Sequence, residues 1–332
     1  MIRTAIALLA CAALLAGCSK PAKPAASQSD VINFSILSAE DAQSMGRVWQ
    51  PLLDDLRKQT GLKLKPFFAS NYTALIEAMR FNQVQAGWFS ALPSLEAVNR
   101  ADAEVLGRVV SGDGSMVYES VLITRKGSGI TLADVLKCGK RYDFGIGDAK
   151  STSGTLAPNY YLFAPRGIDP AQCFKTVRSA SHQANLAAVA YGVLPVASNN
   201  TEGLLFARRQ NPAVVDKVQV IWTSPPLPES AILVRKDLDP KAKQKLRDFF
   251  LHYGQGEGAD AERQRKVMKD LTYAGFQATD DSYLDPIRLM VATDDLARAR
   301  QSGDAGKIAA AQAELDKAKA LAASRPKASA AG

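Results

Sequence analysis

The chain has 332 residues; 41 basic and 33 acidic side chains leave a formal charge of +8, and 47% of its residues are hydrophobic. That length suits two α/β lobes better than one small domain, and the composition is that of a globular protein. The basic residues are dispersed, with no Lys/Arg block and no interleaved aromatics, which argues against nucleic acid and leaves an anionic ligand or anionic surface as the expected partner.

Residues 1–17 have the layout of a secretory leader. Met1–Thr4 is short and positive, and Ala5–Ala16 is apolar but too short to span a bilayer. The stretch ends in Leu15-Ala-Gly-Cys18, which resembles the bacterial lipobox, so Cys18 is the expected lipidated residue of a membrane-anchored periplasmic lipoprotein. Residues 18–30, rich in Ala, Pro, Ser and Lys, read as a flexible tether. Beyond Cys11 and Cys18 the chain holds Cys138 and Cys173, for which an oxidising compartment permits a disulfide. Two such cysteines and two histidines give no metal-ligand pattern, so no metal or cofactor is expected.

From Val31 the pattern alternates. Val31–Leu37 is a β-branched strand, Ser38–Met45 a polar loop, and Trp49–Thr60 an amphipathic helix stopped by Gly61. Leu62–Phe68 is a strand; Ala74–Phe81 is a helix capped by Ser70 or Asn71. Gln85–Phe89 is a strand, and Ser90 opens a helix with Pro93 in its first turn. Strands follow at Val105–Val110 and Tyr118–Arg125. The pattern restarts near residue 126, with a short helix at Leu132–Leu136, a strand at Tyr142–Ile146 and a helix at Gly154–Ala164. Next come a strand at Phe174–Arg178, a helix at Asn185–Tyr191, a strand at Pro195–Ala197 and a helix at Gly203–Arg209. Strands at Val218–Thr223 and Ala231–Val234 and a helix from Asp239-Pro240 to Tyr253 complete it.

Alternation of this kind means α/β sheets. The restart divides them into lobe 1 (31–124 plus 232–290) and lobe 2 (125–231), joined by two crossings with a ligand cleft between. Residues 291–323 form a helical extension whose stripe of Ile308, Ala311, Leu315, Ala318 and Ala322 suits packing on a lobe or pairing with a second copy as a homodimer. Residues 324–332 read as a disordered tail.

Three hydroxyls, Ser151, Thr152 and Ser153, stand where the strand ending at Ile146 gives way to a helix. A helix start offers N–H groups with no partner inside the helix, and hydroxyls there cap it or join it in holding an oxyanion. Tyr72, Ser90, His182 and Glu202 occupy other predicted strand-to-helix junctions, and Tyr118 lies at the handover between lobes. No Gly-x-Ser-x-Gly elbow, complete dinucleotide fingerprint or Gly-Lys-Ser/Thr phosphate loop occurs, so binding without catalysis is the simpler reading.

Five separated motifs, Phe67-Phe-Ala-Ser-Asn-Tyr72, Met79-Arg-Phe-Asn82, Ser151-Thr-Ser-Gly154, Ser181-His-Gln-Ala184 and Asn199-Asn-Thr-Glu202, together resemble the phosphonate-binding periplasmic proteins of ABC importers over about residues 31–290. The resemblance implies a type II periplasmic binding protein fold, a phosphonate ligand and an ABC permease as partner. It implies Tyr72 and Tyr118 as phenols reaching the ligand, Ser151, Thr152, Ser153 and His182 as donors to the phosphonate oxygens, and Glu202 as partner of an aminoalkylphosphonate's ammonium. The family's second acid aligns with Ser230, so either the ammonium has one carboxylate partner or Glu229, next door, stands in. The same fold is compatible with phosphite, phosphate or another oxyanion, with ferric ion held by Tyr160-Tyr161, and with a receptor that feeds a sensor.

Overall fold

Val31 to Ala278 alternates strands with helices. The protein's structure is a computed structural model that describes residues 31–40 and 42–324; the leader, Cys18, the tether and the tail beyond Ser324 lie outside the described residues. The elements are β1 (Val31–Ile36), α1 (Ala42–Thr60), β2 (Lys63–Phe67), α2 (Tyr72–Arg80), β3 (Ala86–Phe89), α3 (Ala91–Arg100), β4 (Ala103–Ser111), β5 (Val117–Tyr118) and β6 (Ser120–Arg125). Then come α4 (Leu132–Leu136), β7 (Asp143–Ile146), a π-helical stretch (Thr152–Leu156 and Pro158–Phe163), α5 (Pro170–Cys173), β8 (Thr176–Ser179), α6 (His182–Ala190), β9 (Val196–Asn200), α7 (Thr201–Gln210), α8 (Pro212–Val215) and β10 (Val218–Thr223). The remainder is β11 (Leu227–Pro228), β12 (Ala231–Arg235), α9 (Pro240–His252), α10 (Ala259–Asp270), β13 (Tyr273–Ala278), α11 (Asp285–Ser302) and α12 (Ala305–Ser324).

Two mixed sheets carry the two lobes. The first has the order β13-β4-β12-β3-β1-β2, the second β10-β6-β9-β7-β8, and β5 pairs with β11 in a separate ribbon. β1 lies parallel to β2 and β3, and β7 parallel to β8 and β9; β12, β13, β6 and β10 run antiparallel to their neighbours. Strands covered on both faces lose the polar alternation of a half-exposed strand, and β3 and β12 are buried at every position.

The first lobe's core collects Phe34, Trp49, Leu52, Leu53, Leu56, Phe89 and Phe250. Each large apolar side chain so buried contributes about 1.5–3 kcal/mol before the entropy of ordering the chain is subtracted. The second lobe has a cluster on each side of its sheet. One holds Phe144 stacked on Phe174 at 4.4 Å, the other Leu186, Val189 and Val215. Cys138 and Cys173 are bridged, closing a 35-residue separation that brackets the Ser-Thr-Ser turn.

The expected boundaries shift in three places. Tyr118–Arg125 is not one strand: Tyr118 belongs to the ribbon and Ser120–Arg125 to the second sheet, so the handover falls before Ser120 instead of after residue 124. Glu119 marks the break because its backbone turns to Thr201, its N–H donating to Thr201 Oγ1 and its carbonyl accepting from Thr201 N. The expected break at 290/291 falls inside α11, whose first half, with Ile287 and Met290, packs into the first lobe's core. The striped helix packs back on α11 through Leu296, Leu315 and Ala318, so within the chain the stripe has an intramolecular partner. Finally, α1 begins at Ala42, taking in part of the expected Ser38–Met45 loop, because Met45 extends the buried face of Trp49, Leu52 and Leu56 by one turn.

Candidate functional site

Five helix starts converge on the gap between the lobes. On the first lobe these are α2, capped by Asn71, and α3, preceded by Ser90; on the second they are the π-helix, capped by Ser151, α6, capped by Ser181, and α7, capped by Asn200. The gap holds a cavity. Tyr72, Tyr118, Ser151, Ser153, His182, Glu202 and Ser230 all line it, as do Ser90, Glu40 and Glu229.

The hydroxyl end is built by a close backbone approach. Gly147 N donates to Gly154 O at 2.9 Å, and a Cβ on Gly147 would meet Gly154 Cα at 2.6 Å, so only glycine at both positions lets the end of β7 touch the first turn of the π-helix. Ser151 Oγ accepts from Gly154 N at 2.9 Å and lies 3.5 Å from His182 Nε2; Ser153 Oγ lies 3.3 Å from the same nitrogen. Burial drives the His182 pKa down to about 4, so its ring is neutral near pH 7, and its Nδ1 is buried without a partner. Both phenols stay protonated because burial raises their pKa; Tyr72 lies against Ser151, and Tyr118 against Ser153 and Thr152. Ser90 Oγ is buried and unpaired on the opposite wall. This end therefore offers uncharged O–H and N–H groups at helix starts, a set suited to an oxyanion.

Thr152 differs from its neighbours. It does not line the cavity; its Oγ1 accepts from Leu92 N of α3 at 2.8 Å and fastens one lobe to the other. Two further ties lie outside the cavity wall's centre: Tyr72 N donates to Asp148 Oδ2 at 3.2 Å, and Lys150 Nζ pairs with Glu96 at 2.8 Å. The lobes are thus closed.

The far end is acidic. Glu202 accepts from Thr272 Oγ1 at 3.0 Å and lies 3.4 Å from Ser111 Oγ, whose single proton can serve it or Glu229 but not both. Glu229 accepts from Ser111 Oγ at 3.1 Å and from Ser230 N at 2.8 Å. One hydroxyl thus sits between two carboxylates. Burial, then the charge of Glu202, pushes the Glu229 pKa up to about 7, and burial raises that of Glu202. No Lys or Arg is among the residues lining the cavity, against three Glu. Glu229, the stand-in expected for the acid that aligns with Ser230, lines the cavity beside it.

Tyr160 and Tyr161 are not in the cavity wall. Their rings pack edge to face at 4.8 Å and line a groove against α11, with Thr293 and Asp294. Among the described residues no group of three His, Cys, Asp or Glu is placed to hold a metal ion.

Residues 34–284 match the profile of a family described as the periplasmic substrate-binding protein of phosphonate ABC transporters. The phosphonates-binding periplasmic protein of Escherichia coli K12 is 41% identical over 262 residues, which is 79% of this chain and 76% of that relative. A solved binding-protein component of an ABC phosphonate transporter from Pseudomonas aeruginosa is 38% identical, with a TM-score of 0.83 over 90% of this chain and 99% of its own. A structure from Prochlorococcus marinus, in complex with methylphosphonate, has a TM-score of 0.69 over 79% of this chain and 97% of its own; at 18% identity the likeness is one of fold.

Proposed function

The chain belongs to the periplasmic substrate-binding proteins of phosphonate ABC transporters, and from that premise we propose that it captures aminoalkylphosphonates in the periplasm and delivers them to a membrane permease. The observation that carries the choice of ligand is the charge layout of a single cavity. Neutral donors gather at Ser151, Ser153 and His182, with Glu40 near Tyr72; the paired carboxylates of Glu202 and Glu229 stand at the other end, and no Lys or Arg lines the wall. A phosphonate head on Ser151, Ser153 and His182 places an ammonium two carbons away toward Glu202 and Glu229, and a zwitterion matches both ends at once. Glu229 takes the place of the acid that Ser230 lacks, and Ser230 fixes it through its backbone N–H.

The same wall separates phosphonate from phosphate. A phosphonate turns a carbon toward the cleft's apolar side, where phosphate would bury a fourth oxygen without a partner, at a cost of roughly 1–3 kcal/mol. Closure dries the site, which strengthens each hydrogen bond to the ligand, and Thr152, Asp148 and Lys150 hold the closed form from outside the ligand's reach. The leader and Cys18 complete the proposal: a lipid anchor keeps the receptor at the membrane that carries the permease.

Calorimetry with 2-aminoethylphosphonate, methylphosphonate, phosphite, phosphate and sulfate tests it. The expected order places 2-aminoethylphosphonate first and phosphate at least tenfold weaker. Binding of phosphate or phosphite in preference to every phosphonate would replace this reading with an inorganic oxyanion receptor.

A further inference from the structure

Beyond the carboxylates the cavity is closed by an aromatic wall. Trp49 and Trp88 lie 5.6 Å apart between ring centroids, Trp49 and Tyr273 lie 6.3 Å apart, and Met45, Leu271 and Phe206 line the same region. Glu202 and Glu229 stand next to it: both carboxylates raise the pKa of Tyr273, after burial. Resting on the phosphonate reading above, we propose that this compartment takes an N-methylated ammonium, up to a quaternary one, so that the ligand class is N-methylated aminoalkylphosphonates.

Three features distinguish a methylated from a primary ammonium here. A primary ammonium must replace three water hydrogen bonds. Yet Ser111, Thr272 and the Ser230 N–H already compete with it for the lone pairs of Glu202 and Glu229. The indoles add no acceptor, because Trp carries a donor only, and both Nε1 atoms are buried without a partner. A quaternary ammonium asks for no acceptor. It needs charge compensation, which Glu202 and Glu229 in a wall without Lys or Arg supply, and apolar and aromatic contact for its methyl groups, which Trp49, Trp88, Met45 and Phe206 supply. Aromatic faces beside carboxylates are the arrangement that holds quaternary ammonium groups elsewhere in proteins, and the attraction grows as the cation is desolvated.

The test is calorimetry of 2-aminoethylphosphonate, its N,N,N-trimethyl derivative and methylphosphonate on the wild-type protein and on Trp88→Leu. In the wild type the trimethyl compound is expected to bind at least as tightly as the primary amine. In Trp88→Leu it is expected to weaken fivefold or more while methylphosphonate stays within about twofold, which also reports that the variant is folded. Phe206→Leu, a half-buried position on α7, gives the same readout if Trp88→Leu does not fold. A trimethyl compound weaker than the primary amine in the wild type overturns the inference and leaves the phosphonate reading standing; failure of all three phosphonates to bind overturns both.

Discussion

Lys150 and Glu96 offer a perturbation outside the cavity. Lys150 follows β7 on the second lobe, Glu96 lies on α3 of the first, and their 2.8 Å ion pair exists only when the lobes meet. Neither lines the cavity. The side chains retain 31% and 18% exposure, so the pair is only partly desolvated and belongs with the weaker ion pairs, at about 0.5–1 kcal/mol. Removing it with Lys150→Met leaves Glu96 its second partner, Arg100, at 3.1 Å, and strands no charge. Because the loss falls on the closed form alone, it enters the dissociation constant in proportion to the share of ligand-free protein that rests open, up to about 5-fold weaker binding. The double variant with Glu96→Gln, read as a thermodynamic cycle, isolates the pairwise coupling. The decisive feature is uniformity. Calorimetry at low and high salt should show the same factor for every phosphonate, shrinking as salt screens the pair. An unchanged Kd, or a factor that differs between ligands, would refute the link between closure and affinity.

Other outcomes follow from the same geometry. Ser151→Ala and Ser153→Ala each remove a hydroxyl facing His182 and should weaken all phosphonates by about 1–2 kcal/mol in calorimetry, with no change of preference among them. The Glu229 carboxyl, at about 7, lies above its ordinary value, so its protonation supports the ligand-free closed form and that support fades as pH rises through about 7. A bound ammonium restores ionisation; affinity for an aminophosphonate relative to methylphosphonate should therefore rise from pH 5 to pH 7, by at most about 3 kcal/mol, and Glu229→Gln should flatten the profile. Reduction of the Cys138–Cys173 bridge should destabilise the second lobe by about 2–4 kcal/mol, given its 35-residue separation, seen as a lower Tm in thermal unfolding with and without reductant.

Much of the fold was legible because the burial of its strands and helices leaves a period in the sequence. Trp49, Leu52, Leu53 and Leu56 mark α1, and Asn71 and Asp239-Pro240 mark helix starts, whereas α6 begins at His182, three residues before the expected Asn185. What escaped notice lacks such a period. α10 buries only Ala261, Gln264 and Met268 along twelve residues, and β13 is an edge strand broken at Gly275. The break at Glu119 is set by Thr201, 82 residues away, and no local pattern announces it. The row of three hydroxyls was visible, but its division of labour was not. Successive residues on a helix point roughly 100° apart, so neighbours cannot all face one ligand: Ser151 and Ser153 meet the cavity and Thr152 meets α3. Likewise the acid beside Ser230 is plain in the sequence, whereas its pairing with Glu202 through Ser111 needs the fold to bring three segments together.

A crystal structure of the protein with 2-aminoethylphosphonate tests the charge layout directly. The expected density places the phosphorus oxygens within hydrogen-bond distance of Ser151 Oγ, Ser153 Oγ and His182 Nε2, and the nitrogen beside Glu202 and Glu229. A ligand bound the other way round, or outside the cleft with Ser151 and Ser153 unchanged in their contacts, would contradict it.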